Sequence, residues 1–377
     1  MSRSEAMPFR SREPGAGGAG GLRRGLGRLA LAVAVAGGVL FGPGRVGEAE
    51  ANDLGRPDAH APIGVMGDHV HAAGEWMLSY RFMFMRMDGN RSGTHDRSTG
   101  EVLRPGGDFL VAPLDMDVQM HMLGAMYAPT DRVTLTAMLP LLVKSMDHRT
   151  AQGEEFTTRS TGLADVSVSA LVKLFEVEHH EVHANLGVSF PTGSIDRKDD
   201  TPASMGANTQ LPYPMQLGSG TVDLWPGLTY NGQVDHFSWG AQAMGTVRLG
   251  RNDENYRLGN RYGLTGWLAA RPLGWLSLAG RVAFDQWFDI EGSDDRIRGV
   301  EMMGTTVPPE QVVPTADPDR RAGRRLQVGP SLNLYAPSGP LKGTRFGVEF
   351  LVPVYQDLDG PQLQSSWTLS AGFQYSF

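Results

Sequence analysis

Trp367-Thr368-Leu369-Ser370-Ala371-Gly372-Phe373-Gln374-Tyr375-Ser376-Phe377 is the stretch whose reading decides the fold. Trp367, Leu369, Ala371, Phe373, Tyr375 and Phe377 fall on one face, and Thr368, Ser370, Gly372, Gln374 and Ser376 on the other. A period of two is a strand with one apolar and one polar side. Its eleven residues match the length a tilted strand needs to cross a bilayer. Rings stand at both ends of the apolar face, where amphipathic aromatics settle at a membrane–water boundary. The same stretch also suits the last strand of a soluble sandwich, so the rest of the chain must decide.

Working back from it, the pattern recurs. Glu75 to Met87 sets Trp76, Leu78, Tyr80, Phe82 and Phe84 against Glu75, Ser79, Arg81, Met83 and Met85. Asp115 to Tyr127 alternates Met116, Val118, Met120 and Met122 with Asp115, Asp117, Gln119 and His121, read here as lipid face and inner face. Val133 to Lys144 and segments near 163–175, 182–190, 221–230, 236–249, 261–270, 275–288, 325–335 and 346–354 complete a set of about twelve. Their connections alternate long and short. Tight turns at one end, long loops at the other and an even strand count belong to transmembrane barrels. A sandwich has no reason to alternate its loops. The fold expected is all-β: a closed antiparallel transmembrane β-barrel over 75–377, with short periplasmic turns and long extracellular loops. Closure is required because lipid cannot satisfy free backbone groups. Pro226, Pro330 and Pro353 fall inside these strands and predict bulges.

Composition agrees. With 377 residues, 49 Gly, 24 Pro and no Cys, the chain suits one large β domain, and disulfides and thiolate metal sites are excluded. Mean hydropathy of −0.25 excludes a helical membrane bundle but not a barrel. Arg23, Arg24 and Arg28 precede an apolar run from Leu29 to Phe41, and Ala49-Glu50-Ala51 follows. This predicts a signal peptide over 1–51 and a periplasmic segment over 52–74. Residues 1–51 hold seven Arg and four Glu, so their removal takes the charge from −7 to about −10. An acidic exported protein is a poor nucleic-acid binder.

Phe190-Pro191-Thr192-Gly193 and Leu211-Pro212-Tyr213-Pro214-Met215-Gln216-Leu217-Gly218-Ser219-Gly220-Thr221-Val222-Asp223-Leu224 carry a resemblance. The chain resembles the bacterial outer-membrane "transporter" proteins grouped under the MetA pathway of phenol degradation. That resemblance implies an outer-membrane barrel passing small, including aromatic, solutes. The terminal strand Trp367 to Phe377 likewise resembles the signal that the outer-membrane assembly machinery reads. The stretch with Pro191, Thr192, Gly193, Gln216, Gly218, Gly220 and Asp223 can fold inward as a constriction, or merely connect strands.

Opposed charges lining a lumen orient polar solutes. The inner-face candidates are Glu75, Arg81, Asp115, Asp117, Gln119, His121, Asp165, Lys173, Arg281 and Asp285, with bracing salt bridges as the alternative role. Soft thioethers beside imidazole suit copper, which makes Met83, Met85 and His121 the minor metal candidates. His183, Asn185 and Ser189 share a face but spread too far along a strand for a catalytic triad, and no G-x-S-x-G is present. No cofactor is expected. The function expected is passive passage of small solutes across the outer membrane, both termini periplasmic. The alternative is a non-conducting structural or partner-binding barrel.

Overall fold

A sheet in hydrocarbon cannot leave an unpaired edge, and here the first long strand pairs with the last, so the ring of strands closes. The computed structural model describes residues 55–204, 206–302 and 304–377. The signal-peptide reading of 1–51 lies outside the described residues. In chain order the strands are β1 (Trp76–Gly93), β2 (His95–Arg97), β3 (Val111–Thr130), β4 (Val133–Thr150), β5 (Glu155–Leu163), β6 (Val166–Val177), β7 (His180–Phe190), β8 (Lys198–Asp199) and β9 (Thr209–Gln210). They continue with β10 (Val222–Val234), β11 (Phe237–Leu249), β12 (Arg261–Leu273), β13 (Leu276–Trp287), β14 (Val300–Met302), β15 (Thr305–Val307), β16 (Gly323–Tyr335) and β17 (Thr344–Ser376).

Eleven strands form the ring, in the order β17, β16, β13, β12, β11, β10, β7, β6, β4, β3, β1 and back to β17, all antiparallel; β2 and β5 pair onto it from outside the ring. Closure runs from Met77 opposite Ser376 to Gly93 opposite Leu358. The 33 residues of β17 are a doubled strand. Its first half runs along β16 up to Leu358, and its second half returns along β1. Ser365 N–H donates to Gln356 Oε1 (2.9 Å) and Ser376 N–H to Gly343 O (3.0 Å), which fixes the hairpin. The eleven elements therefore cross the wall twelve times, as the alternation in the sequence requires.

The two ends differ. Two-residue turns join β3 to β4, β6 to β7, β10 to β11 and β12 to β13. Two of them place a residue at positive φ, Glu178 at 51° and Asp235 at 45°, the sense that matches strand twist in a tight hairpin. The other end carries the long connections 191–221, 250–260 and 288–322. Of the three prolines, only Pro353 sits at a register shift.

Outside, the wall carries a broad apolar belt. Leu123, Leu135, Leu186, Leu228, Leu268 and Leu278 are exposed, and Leu268 is 60% accessible. Large exposed apolar side chains gathered on one face mark a surface that meets a membrane or a partner rather than water. Stacked rings bound it: Trp76 on Tyr127 and Tyr375 on Phe377 at the turn end, Phe84 on Trp367 farther up. No helix among the described residues is long and apolar enough to cross a membrane, so the belt belongs to strands.

Candidate functional site in the barrel lumen

Residues facing inward from the wall are largely polar and buried, among them His183, Asn185, Thr229, Gln242, Asn333, Arg345 and Glu349. They are buried because something occupies the barrel. The segment before β1, read from sequence as periplasmic, turns into the lumen. Its backbone carbonyls accept from wall side chains all round the ring: Asp58 O from Ser238, His60 O from Asn333 (3.4 Å), Ala61 O from Arg345 and Val65 O from Arg81 (3.3 Å). Met66 O accepts from Gln242 (2.9 Å), Gly67 O lies 3.0 Å from His183 Nε2, and Asp68 O accepts from Asn231 (2.6 Å). His71 N–H donates to Thr134 Oγ1 at 2.9 Å. An irregular segment can enter a barrel only if its backbone polar groups find such partners.

Apolar contacts seat the same segment. Val70 packs with Met77, Met126 and Leu171, and Ala61 and Val65 pack on Trp267. Ile63 sits over Gly347 and Gly372: a Cβ on Gly372 would lie 2.8 Å from Ile63 Cγ1. Gly67 takes φ +62°, with Asn185 Nδ2 only 2.6 Å from where a side chain would begin. Both conditions select glycine.

The segment carries His60, Asp68, His69 and His71, all buried. His69 Nδ1 is 3.0 Å from Asp68 Oδ1 and 3.4 Å from His60 Nδ1; His69 Nε2 is 3.2 Å from His71 Nε2. His71 Nδ1 is 3.2 Å from Glu75 Oε2. Burial holds the His60 imidazole well below its ordinary value, with His69 and Arg345 acting the same way against Asp68. Burial, then His69, brings His71 down to about 3. Burial pushes Asp68 up, but His69, His60 and Arg345 together outweigh it and leave the carboxyl well below the usual range.

Several predicted residues join this interior. Arg281 pairs with Glu349 (Nη1 to Oε2, 2.9 Å) and donates to Thr265 Oγ1 (2.8 Å). Lys173 Nζ lies 3.0 Å from Glu176 and 3.5 Å from Glu181, which in turn is 3.1 Å from His183 Nδ1. Asp285 pairs with Arg261 (2.9 Å) and Arg325 (3.5 Å). Both ring nitrogens of His183 are thus occupied, by Glu181 and by Gly67 O. Of the strand-mates considered for catalysis, His183 and Asn185 meet the segment at Gly67.

Strand β3 corrects the sequence reading. Arg81, which points into the lumen, stands opposite Met122, and Met85 opposite Val118. Met116, Met122 and Met126 are buried, so the methionines line the inside. Asp115, Asp117, Gln119 and His121 are on the outer face. There Arg86 bridges Asp115 and Asp117 at 3.0 Å each, and His121 Nδ1 meets Tyr80 Oη at 2.8 Å. Both faces carry residues that fit either side, and thioethers fill cores as readily as they face lipid, so alternation alone could not orient the strand. Met83 and Met85 face inward while His121 faces out, so the minor metal candidates do not come together. Glu75 sits at the turn end outside the strands, accepting from Ala72 N–H at 3.1 Å.

At the loop end, Asp165 clamps the predicted loop bracket. It accepts from Gly193 N–H (2.9 Å) and from Ser219 N–H and Oγ (2.8 Å each). Gly193 and Gly218 are in backbone contact that leaves no room for a Cβ on either. Pro191 directly follows β7, and Thr192 Oγ1 takes the Val166 N–H (2.9 Å) and donates to Ala164 O (3.0 Å). Gly220 has φ +69°, and Asp223 accepts from Thr221 (2.7 Å), Ser219 (3.1 Å) and Arg248. Gln216 holds the loop to itself through Leu211 O (2.7 Å) and Arg197 N–H (2.8 Å). Lys144 Nζ reaches Pro214 O (2.8 Å) and Gln216 O (2.6 Å), and Leu211 and Met215 pack on inward-facing Met116 and Met146. The loop therefore rests on the inner wall. Tyr213 continues into a cluster with Tyr256, Ile290, Ile297 and Ala316 from the two other long loops.

The sequence reading missed Glu349, Arg345 and the His60–Asp68–His69–His71 group. The dense His/Asp spacing in 58–71 is the available signal, set aside when the segment is read as a periplasmic lead-in to the first strand.

Comparison with solved structures bears on this geometry. The COG4313 outer membrane channel from Pseudomonas putida F1 superposes with a TM-score of 0.54 at 14% identity, covering 83% of this chain and 99% of that one. The fold is that of an outer-membrane barrel. The NanC porin matches at TM-score 0.39 and 10% identity, over 79% of this chain and 98% of that one. The P. putida toluene transporter TodX matches at TM-score 0.38 and 10% identity, over 81% of this chain and 90% of that one. No protein-family model and no curated protein sequence matches the chain.

Proposed function

We propose that this chain is an outer-membrane channel for small organic solutes, narrowed from one end by residues 58–71 and from the other by the loop 191–221. The carrying observation is the ring of wall donors from β1, β7, β10, β11, β16 and β17 bound to one irregular segment. Those bonds are individually modest, and the segment buries no regular secondary structure, so it suits an element that can leave. In this reading the turn end faces the periplasm, which places both termini there after export. The final strand, Trp367 to Phe377, is the part presented to the assembly machinery, as its resemblance implies. Passage is diffusive and draws on no nucleotide or redox cofactor.

The continuity of the plug's contacts also favours a second reading, a barrel that does not conduct. Single-channel recording of the refolded chain in a planar bilayer separates the two. Discrete openings support the channel; a silent bilayer with protein inserted supports the closed barrel.

A further inference from the structure

We propose that His60, Asp68 and His69 form a binding site for one late first-row divalent cation, such as Zn²⁺, Cu²⁺ or Ni²⁺, inside the barrel. Among the described residues this is the group of three or more such side chains whose ligand atoms all lie within 4.8 Å of one another.

The distances suit one ion. Two ligands held about 2.0–2.1 Å from a tetrahedral centre lie about 3.4 Å apart. His60 Nδ1 and His69 Nδ1 are 3.4 Å apart, and Asp68 offers one oxygen 3.0 Å from His69 and the other 4.0 Å from His60. Imidazole and carboxylate together suit this class of cation.

Proton counting supplies an independent argument. Asp68, His69, His71 and Glu75 form a chain of three polar contacts: 3.0 Å from carboxylate to Nδ1, 3.2 Å from Nε2 to Nε2, and 3.2 Å from Nδ1 to carboxylate. Each contact needs one proton. Two neutral imidazoles carry only two. With both carboxyls ionised, one contact opposes two lone pairs, or one ring takes an additional positive charge in a buried place, where charging is costly. A cation on His69 Nδ1 removes the deficit. His69 Nε2–H then donates to His71 Nε2, and His71 Nδ1–H donates to Glu75 Oε2. This is the carboxylate–histidine–metal arrangement in which outer partners fix the tautomer of a ligand. His71 and Glu75 are positioning residues in this scheme. Asp68 Oδ2 is also held, accepting from Ala61 N–H at 2.9 Å, so the carboxylate is aimed before an ion arrives.

The ion would tie residue 60 to residues 68 and 69, closing the segment into a loop while it sits in the lumen. Metal occupancy would thereby set how firmly the segment is seated.

The test uses the full chain refolded in detergent, stripped with chelator and titrated with Zn²⁺ and Cu²⁺. One ion per chain by elemental analysis is expected, and the Cu²⁺ electron paramagnetic resonance spectrum should show coupling to two nitrogens. His60→Ala and Asp68→Asn should each weaken binding at least about ten-fold, and His71→Phe by about ten- to a hundred-fold through His69. His121→Ala, on the outer face, should leave it unchanged. Folding of each variant is read from heat-dependent gel mobility, and His60→Asn replaces any alanine variant that fails it. Folded wild-type protein that takes up no stoichiometric ion, or Cu²⁺ without nitrogen coupling, would overturn the proposal; so would equal affinity in folded His60 and Asp68 variants.

Discussion

Arg281 and Glu349 form an ion pair inside the barrel, Nη1 to Oε2 at 2.9 Å, directly beneath Gly64 of the inserted segment. The Glu349 side chain is 1% exposed and that of Arg281 12%. Breaking a buried pair from one side leaves an uncompensated charge at a cost of about 3–5 kcal/mol, whereas replacing both partners with apolar groups is often neutral. Glu349→Ala should therefore lower the urea midpoint of the refolded barrel, and the double variant Arg281→Met, Glu349→Leu should recover most of it.

Ile63 rests on two glycines. Gly372→Val places branched carbons where Ile63 Cγ1 now lies, 2.8 Å from an added Cβ. The expected outcome is a displaced segment in an intact barrel. Limited proteolysis should cut within 55–72 in the variant and spare those residues in the wild type, with heat-dependent gel mobility unchanged.

Asp165 holds three donors of the loop bracket. Hydrogen bonds to a charged group contribute about 1.5–3 kcal/mol each. Asp165→Ala should release the loop 191–221 from the inner wall. A spin label at Ser204 should report faster motion in the variant, while barrel stability falls less than for Glu349→Ala.

Within its apolar belt, away from the Arg86–Asp115–Asp117 group, the outer face should refuse charge. Leu268, 60% accessible, points away from the lumen in the middle of β12. An arginine there should cost about 2–4 kcal/mol if it lies near the bilayer midplane. Thr265→Ser, on the lumen side of the same strand, should be close to neutral. Unfolding titrations in lipid vesicles compare the two.

The barrel was legible because its physics is written twice in the sequence, in period-two strands and in loops of alternating length. Even β17, one continuous element that folds back on itself, reads in the sequence as two strands separated by Asp357-Leu358-Asp359-Gly360. The loop bracket was legible in part, since Gly193 and Gly218 mark a backbone contact that no other residue permits. The orientation of β3 was not, because Met116 and Met122 suit lumen packing as well as lipid. The inserted segment was least legible. Its fitness for the lumen comes from carbonyls meeting Arg81, Gln242, Asn333 and Arg345, partners up to 284 residues away. No local pattern encodes such contacts.

The central claim is that residues 58–71 narrow the lumen of a closed barrel. Planar-bilayer conductance of the refolded chain, compared with a variant lacking residues 55–71, tests it most directly. A clear rise in single-channel conductance on deletion is predicted; equal conductance in two equally folded proteins would contradict it.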